Sequence, residues 1–454
     1  MRTAAKWTGG VTALVLLLVG LNWWSTGEPF GLDGPRALNA PAVHYLRPHG
    51  DRHGLAGDRA IVLTPKGGSE TGSDPHRITA DVEPGSQDVV ALRENGPDCT
   101  RTGTHIACTV AVGGATHPSQ ARVTALAAPG SHVGDVGHLR FTFTRGDGKV
   151  LTARTEVVVG EPVVEIGRPA PVKDVRPGAV VSLPFVVRNT GERPVEGLGV
   201  RFSSGEMELA ERNANCRYPQ GRRHYAVCRF PDLRIAPGET VVLRPALRVR
   251  VSKTLMYDEV TQSAWPLDVG PGGSSAWPNG GDQGDGPPLT PTSGPPPAAL
   301  TFAQGDARTS VGLALRSDYA VFAGDLRGAP GTERRLDVTV RNAGPGDPGA
   351  RSSLVFTPPP GTEVTEEPME EIDEDAYEPY CRHEKGSYVC GIGELAPGKS
   401  RTFTFTVRLG EPGAGSVRLK DWPLDPSDPP DQLSRLGRQD PDPTNDTTSV
   451  TALG

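Results

Sequence analysis

The most legible chemistry in this 454-residue chain lies in its six cysteines, which fall in three close pairs, Cys99/Cys108, Cys216/Cys228 and Cys381/Cys390. Eight residues separate the members of the first and third pairs, so a two-residue turn at Gly103-Thr104 or Lys385-Gly386 sets each pair directly opposite on adjacent antiparallel strands. Gly at the first central position suits a type II′ turn, and Lys-Gly resembles the type I′ pattern. Counting outward from the turn, both pairs fall at non-hydrogen-bonded positions, where Cα atoms are close enough for a disulfide. Cys216 and Cys228 enclose eleven residues, which fits a three-residue loop at Gly221-Arg222-Arg223. The expectation is three disulfides, one per domain, as an oxidising, exported location favours. Zinc is the rival reading, because His105, His224 and His383 each lie inside a pair. Their spacings differ, and none reproduces two short knuckles with four ligands.

Other clusters offer weaker chemistry. His44, His49 and His53 surround Asp51 and could hold Zn or Cu loosely, or simply belong to a polar stalk. Nine acids and no base lie between Glu363 and Glu378. Asp373, Glu374 and Asp375, with Asp440, Asp442 and Asp446, could offer oxygens to calcium, although no D-x-D-x-D-G loop is present. A solvated or partner-facing acidic loop is the other meaning of such a run. Arg145-Gly146-Asp147 would read as an integrin ligand in an animal matrix protein, and at a hairpin tip it is also what turn chemistry selects. The Gly221-Arg222-Arg223-His224 tip, with Arg212, Arg217 and Arg229 nearby, forms a basic patch that could meet wall or lipid anions or the acidic loop of another copy. Trp265 and Trp422 are either core anchors or ligand platforms. There is no G-x-S-x-G elbow and no H-E-x-x-H. No glycine-rich phosphate loop is read either, so catalytic residues, metal ligands and cofactor contacts are all left unassigned.

The elements that would position these residues follow from composition. With 57 Gly and 45 Pro against 4 Met, long continuous helices are disfavoured and turn-rich β structure is expected. The net charge of −7 gives no reason to expect a nucleic-acid-binding surface. At the N-terminus, Arg2 and Lys6 precede the apolar run Val11–Leu21, the pattern of a secretory targeting segment. Trp7 to Trp24 spans 18 residues, roughly 27 Å as a helix, enough to cross a hydrocarbon core with Trp at each interface. Asn22, Trp23 and Trp24 follow the run where a cleavage site would want small residues. An uncleaved signal anchor and a removed signal peptide both remain open. Either one places the rest of the chain outside the membrane, with an envelope protein or wall polymer as partner.

Short β-branched or alternating runs begin near residue 60 (AIVLT, RITADV, RVTALA, LRFTFT, VLTARTEVVV), separated by turn residues. This is the texture of β-sandwiches. The expected organisation is a signal segment at 1–28, a polar stalk at 29–58, a first sandwich at 59–160, a second at 161–270, a mobile Pro/Gly linker at 271–298 and a third sandwich at 299–454. The second and third sandwiches look like copies. Phe185-Val-Val-Arg-Asn-Thr-Gly191 matches Val338-Thr-Val-Arg-Asn-Ala-Gly344, and the Cys pairs match. Ile235-Ala-Pro-Gly-Glu-Thr240 matches Leu395-Ala-Pro-Gly-Lys-Ser400, and Trp265-Pro-Leu-Asp268 matches Trp422-Pro-Leu-Asp425.

In these residues, together with Pro359–Val364 and the closing Asp442-Pro-Thr-Asn-Asp446, the chain resembles the tandem Ig-like repeat domains of exported bacterial surface proteins, the DUF11 or CARDB-like group. The resemblance implies an all-β fold of tandem immunoglobulin-like sandwiches after one N-terminal hydrophobic helix. It also implies a non-catalytic role as spacer, adhesion or assembly module. A carbohydrate- or wall-polymer-binding protein and an accessory part of a divergent extracellular hydrolase are the alternatives. The use of 39 Arg against 8 Lys looks actinobacterial.

Overall fold

The computed structural model describes residues 37–50, 60–66, 76–93, 98–110, 121–145, 148–270, 281–295, 300–349, 352–373, 376–421 and 432–454. The expected N-terminal helix lies outside them. Among the described residues no helix is long and apolar enough to cross a membrane; two short 3₁₀ turns, Leu433–Leu436 and Pro443–Asp446, are the helical elements. The fold is all-β, built as immunoglobulin-like sandwiches with three main apolar cores.

One compact unit comprises the chain up to Pro162 with Gly191–Arg193. Its four-stranded sheet runs in spatial order Ala37–Asn39, Ala60–Lys66, Ala121–Ala127, Val90–Arg93. The facing six-stranded sheet runs Val43–Leu46, Val150–Val159, Val136–Thr144, His76–Val82, His105–Val110, Cys99–Thr102. Strand His76–Val82 shows why the sequence folds this way: His76, Ile78, Ala80 and Val82 are buried while the residues between them are not, the period of two that a half-buried strand requires. The expected stalk over 29–58 is corrected here. Ala37–Asn39 and Val43–Leu46 belong to the sandwich, the latter pairing in parallel with Val150–Val159.

The other unit, Val163–Thr190 with Pro194–Gly454, holds two sandwiches. In the second, Glu208–Leu209, Thr240–Arg250, Val180–Asn189 and Val164–Arg168 form one sheet. The opposing sheet runs Val172–Val175, Asp306–Leu313, Tyr257–Pro266, Val195–Ser204, Tyr225–Ile235, Cys216–Tyr218. The third repeats this order with Glu363–Glu366, Ser400–Arg408, Glu333–Asn342 and Tyr319–Ala323 against Leu326–Arg327, Thr447–Leu453, Gly413–Asp421, Ser352–Thr357, Ser387–Gly391 and Cys381–Glu384. All three sandwiches therefore share one strand order, including a short parallel pair at the rim and a Cys hairpin at the far edge.

The segment expected as a mobile linker has another role. Asp282–Gln283 pairs with Cys216–Tyr218, Thr290–Ser293 pairs with strand Thr240–Arg250 over its residues 241–244, and Thr301–Gln304 pairs with Val164–Arg168. Asp306–Leu313, placed by sequence in the third domain, completes the second. The described chain between Tyr257–Pro266 and Asp306–Leu313 thus straps three edges of the second sandwich, with residues 271–280 and 296–299 outside the description.

The recurring V-R-N-x-G and hydrophobic-Ala-Pro-Gly motifs are two halves of one latch. Asn342 donates its amide to Leu395 O (2.8 Å) and Gly346 O (2.8 Å) and accepts from Gly344 N–H (3.1 Å), while Gly398 N–H returns to Asn342 O. Asn189 does the same to Ile235 O (3.0 Å), with Gly238 N–H donating to its carbonyl. Both Asn side chains are fully buried, and a buried amide needs these partners.

Second and third sandwiches are joined by a packed seam. Met256 N–H donates to Asp347 O and Asp347 N–H to Thr254 O, both at 2.7 Å, and Gln439 Nε2 donates to the Tyr257 hydroxyl at 2.7 Å. Met256, Tyr257 and Leu433 form a small apolar cluster. Leu433 lies over Gly312, where a Cβ would approach its Cδ1 to 2.9 Å.

Candidate functional site

The three Cys hairpins occupy the same place in each sandwich, at the sheet edge in the first and third and beneath Asp282–Gln283 in the second, with the expected register: Cys99 faces Cys108, Cys216 faces Cys228 and Cys381 faces Cys390. Each pair is joined as a disulfide, with Cα–Cα distances of 4.0, 3.9 and 4.2 Å. The turns are made by left-handed residues, Gly103 in the first hairpin and both Lys385 and Gly386 in the third. The second hairpin departs from expectation. Its ladder stops at Arg217/Val227, and Pro219, lacking an N–H, opens a longer loop than the three residues counted from sequence. With sulfur bonded to sulfur, no thiolate is offered to a metal. His105 instead pairs with Asp81 (2.6 Å) and His383 with Glu367 (3.0 Å). Among the described residues, no group of three or more His, Cys, Asp or Glu is placed to hold a metal ion.

The basic tip is the best-formed surface feature that sequence singled out. Arg212, Arg222, Arg223 and His224 line a cleft of about 790 Å3 with Leu209 and Tyr218. Arg223 lies 3.6 Å from Glu208, and Arg212 lies 3.5 Å from Asp282 and over the Tyr218 ring. Arg222 is exposed and has no carboxylate partner among the described residues. Burial raises the Tyr218 phenol to about 12, although it accepts the Asn213 N–H at 2.6 Å. Arg217, grouped with this tip by sequence, instead hydrogen-bonds Gly281 O.

The acidic stretch splits into two elements. Glu363–Glu366 is an edge strand whose Glu363 meets Arg408 (2.9 Å) and whose Glu366 accepts from Thr406. Met369–Asp373 and Ala376–Pro379 form a two-stranded hairpin belonging to neither main sheet. Glu374 and Asp375 lie outside the described residues. Asp440 and Asp446, the acids imagined beside them, serve Arg438. That guanidinium is 7% exposed and donates to Asp421 (2.8 Å) and to both oxygens of Asp446. Asp440 accepts Tyr319 N–H, and Asp442 caps the Pro443–Asp446 turn. Burial alone would lower Arg438, yet its bonds to Asp446 and Asp421 hold it above its ordinary range. Sequence reading missed Arg438, and the density of Asp around it was the available signal.

The remaining sites are quickly placed. His44 and His49 line a cleft of about 430 Å3 with Arg47, whose guanidinium reaches Glu161 at 3.2 Å; His53 and Asp51 lie outside the description, as do Gly146, Asp147, Trp422, Trp277 and the three N-terminal Trp. Trp265 is 8% exposed, and its ring lies against Gly199 of the neighbouring strand, where a Cβ would collide with it. A platform for a ligand would need that ring open to solvent.

Two phosphate-loop spacings that the motif reading passed over are present. Gly393-Glu-Leu-Ala-Pro-Gly-Lys-Ser400 has the P-loop spacing, and Gly344-Pro-Gly-Asp-Pro-Gly349 has the dinucleotide spacing. Neither is followed by a helix: strands Ser400–Arg408 and Ser352–Thr357 come next. Without a helix N-terminus to receive phosphate, both fail the structural context the motifs need. Gly398 is instead the left-handed residue of the Asn342 latch. Gly344 lets its backbone approach Ser317 and Asp318 where a Cβ would collide.

No protein-family model matches the chain, and no curated protein matches its sequence. Among solved structures, a non-cellulosomal cohesin from Archaeoglobus fulgidus is 12% identical, covering 30% of this chain and 92% of its own, with a TM-score of 0.18. A protein of Corynebacterium diphtheriae described as membrane-anchored is 10% identical over 85% of this chain and 86% of its own (TM-score 0.15). The I67–I69 fragment of titin is 9% identical over 84% and 93% (TM-score 0.16). Likeness at this level carries no function across.

Proposed function

We propose that this chain is an exported, non-catalytic spacer and protein-interaction module, held at a membrane by its N-terminal apolar segment. The observation carrying this reading is the repetition of one sandwich with a disulfide at the same edge each time. A disulfide in every copy suits an oxidising compartment, and stapled sandwiches in tandem suit a module that must project. The packed seam around Met256 and Leu433 gives the second and third sandwiches a fixed relation, which a spacer needs and a flexible tether lacks. The closer kinship with DUF11 or CARDB-like repeats, and the actinobacterial origin, rest on the N-x-G and Ala-Pro-Gly motifs and on Arg usage.

Fractionation of the native host tests this reading. The expected result is a chain in the membrane fraction, digested by protease added to intact cells, gaining about six mass units on reduction of three disulfides. A cytosolic chain with six free thiols would overturn it.

A further inference from the structure

The three equivalent sandwiches allow one edge to be compared within a single molecule. In the second, the Cys216–Tyr218 edge is covered. Asp282–Gln283 runs antiparallel to it with Arg217 opposite Gln283 and Tyr218 opposite Asp282, and Gly284 N–H donates to Cys216 O at 3.1 Å. In the third, the equivalent strand Cys381–Glu384 ends its sheet, with no strand beyond it among the described residues. Its pairs with Ser387–Gly391 are Cys381/Cys390, Arg382/Val389, His383/Tyr388 and Glu384/Ser387. The 4.2 Å Cα separation of Cys381 and Cys390 marks a non-hydrogen-bonded pair. Alternation makes His383/Tyr388 another. The N–H and C=O groups of Cys381 and His383 therefore point to the open edge, as those of Cys216 do where the strap binds.

Charge distinguishes the two edges. The strap brings Asp282 to an edge carrying Arg212 and Arg217; its added strand is acidic where the receiving edge is basic. At the third sandwich the edge strand carries Arg382 and His383, each beside a carboxylate (Glu384 at 4.0 Å and Glu367 at 3.0 Å), and the surplus charge next to it is acidic. The hairpin Met369–Asp373/Ala376–Pro379 leads directly into Cys381–Glu384, carrying Glu370, Glu371 and Glu378. Glu370 and Glu378 stand directly opposite each other, an unfavourable cross-strand pair. Met369 and Tyr377 on the same hairpin are 53% and 60% exposed. Residues 314–454 hold 24 Asp and Glu against 15 Lys and Arg, whereas residues 163–313 hold 15 against 17.

We propose that the Cys381–Glu384 edge binds an extended, basic peptide segment of a partner protein by strand addition, with the acidic hairpin selecting its charge. Backbone bonds to the edge give the register, and Glu370, Glu371 and Glu378 supply the preference. This rests on the reading of the chain as an interaction module. It adds the site and the chemistry of the partner. The end strand Cys99–Thr102 of the first sandwich has no such hairpin beside it among the described residues.

The test uses the full-length oxidised protein and two fluorescent octapeptides, alternating Lys-Val and alternating Glu-Val, read by anisotropy. The Lys-Val peptide should bind at least tenfold more tightly. His383→Pro removes an outward N–H that the Ser387–Gly391 ladder does not use, and should weaken binding tenfold or more. Should that variant fold poorly, a Lys-Val peptide N-methylated at every residue, which can donate from neither edge, should lose binding to the unaltered protein. Glu370→Lys with Glu378→Lys should reverse the charge preference. The proposal is overturned by no binding at submillimolar peptide, by equal binding of both peptides, or by Lys-Val binding that survives both His383→Pro and N-methylation, which would be adhesion to charge alone. It is also overturned if the edge captures a second copy of the chain in preference to the basic peptide. Failure here with a surface-exposed chain leaves the spacer reading intact, while a cytosolic chain that binds Lys-Val refutes only that reading.

Discussion

Asn189 and Asn342 are the residues whose loss should be felt most for their size. Asn342→Ala leaves Leu395 O, Gly346 O and Gly344 N–H without their side-chain partner in a buried site, which costs about 3 kcal/mol on the usual scale for orphaned buried groups. Urea unfolding should show this loss, with Asn189→Ala behaving alike. Tyr218 gives a pH signature. Its folded pKa is raised to about 12 from an unfolded value near 10, so the neutral form is favoured in the fold. The corresponding stability is complete below pH 10 and disappears as pH climbs toward 12. Absorbance titration at 295 nm should show a late-ionising tyrosine fraction, to which Tyr257, Tyr319 and Tyr388 also contribute because burial raises them, and Tyr218→Phe should reduce that fraction by one tyrosine and blunt the alkaline drop in Tm. At this scale the sequence was a partial guide. The N-x-G and Ala-Pro-Gly motifs could be seen recurring in order, but nothing in their one-dimensional spacing says that Asn342 reaches Leu395. Arg438 was missed although Asp440 and Asp446 lie close to it in sequence, because their density does not say that they and Asp421 converge on one guanidinium.

Among the elements, the Cys hairpins were legible because a disulfide across a two-residue turn is nearly fixed by counting. Replacing Cys381 and Cys390 with Ser releases a loop of small size and should lower stability by about 2–3 kcal/mol, measured as a fall in denaturant midpoint against the oxidised parent. The strap was illegible. Asp282–Gln283 and Thr290–Ser293 are exposed at every residue, so no inward-facing period of two exists to announce a strand. Pro291 further disguises it, although an edge strand tolerates proline. The four residues of Val43–Leu46 were hidden by their shortness between Pro41 and Pro48. Replacing residues 282–293 by a Gly/Ser segment of equal length should therefore destabilise the second sandwich, with hydrogen exchange accelerating in Cys216–Tyr218 and Thr240–Arg250 and little change in Ser400–Arg408. A true linker would tolerate the exchange without effect.

Across the whole molecule, the reading of a spacer depends on the second and third sandwiches moving as one body. Sequence placed a mobile Pro/Gly hinge between them; the chain instead spends the described part of that segment, 281–295, as a strap and makes its junction from Met256, Asp347 and Leu433. The most direct measurement is hydrogen–deuterium exchange on the full-length oxidised protein, read at the amides of Met256 and Asp347, whose seam bonds are both 2.7 Å long. A packed seam predicts protection within about tenfold of the central strand Glu333–Asn342, as for one cooperative unit. Exchange at these amides at the rate of an open linker, while Glu333–Asn342 stays protected, would contradict the account.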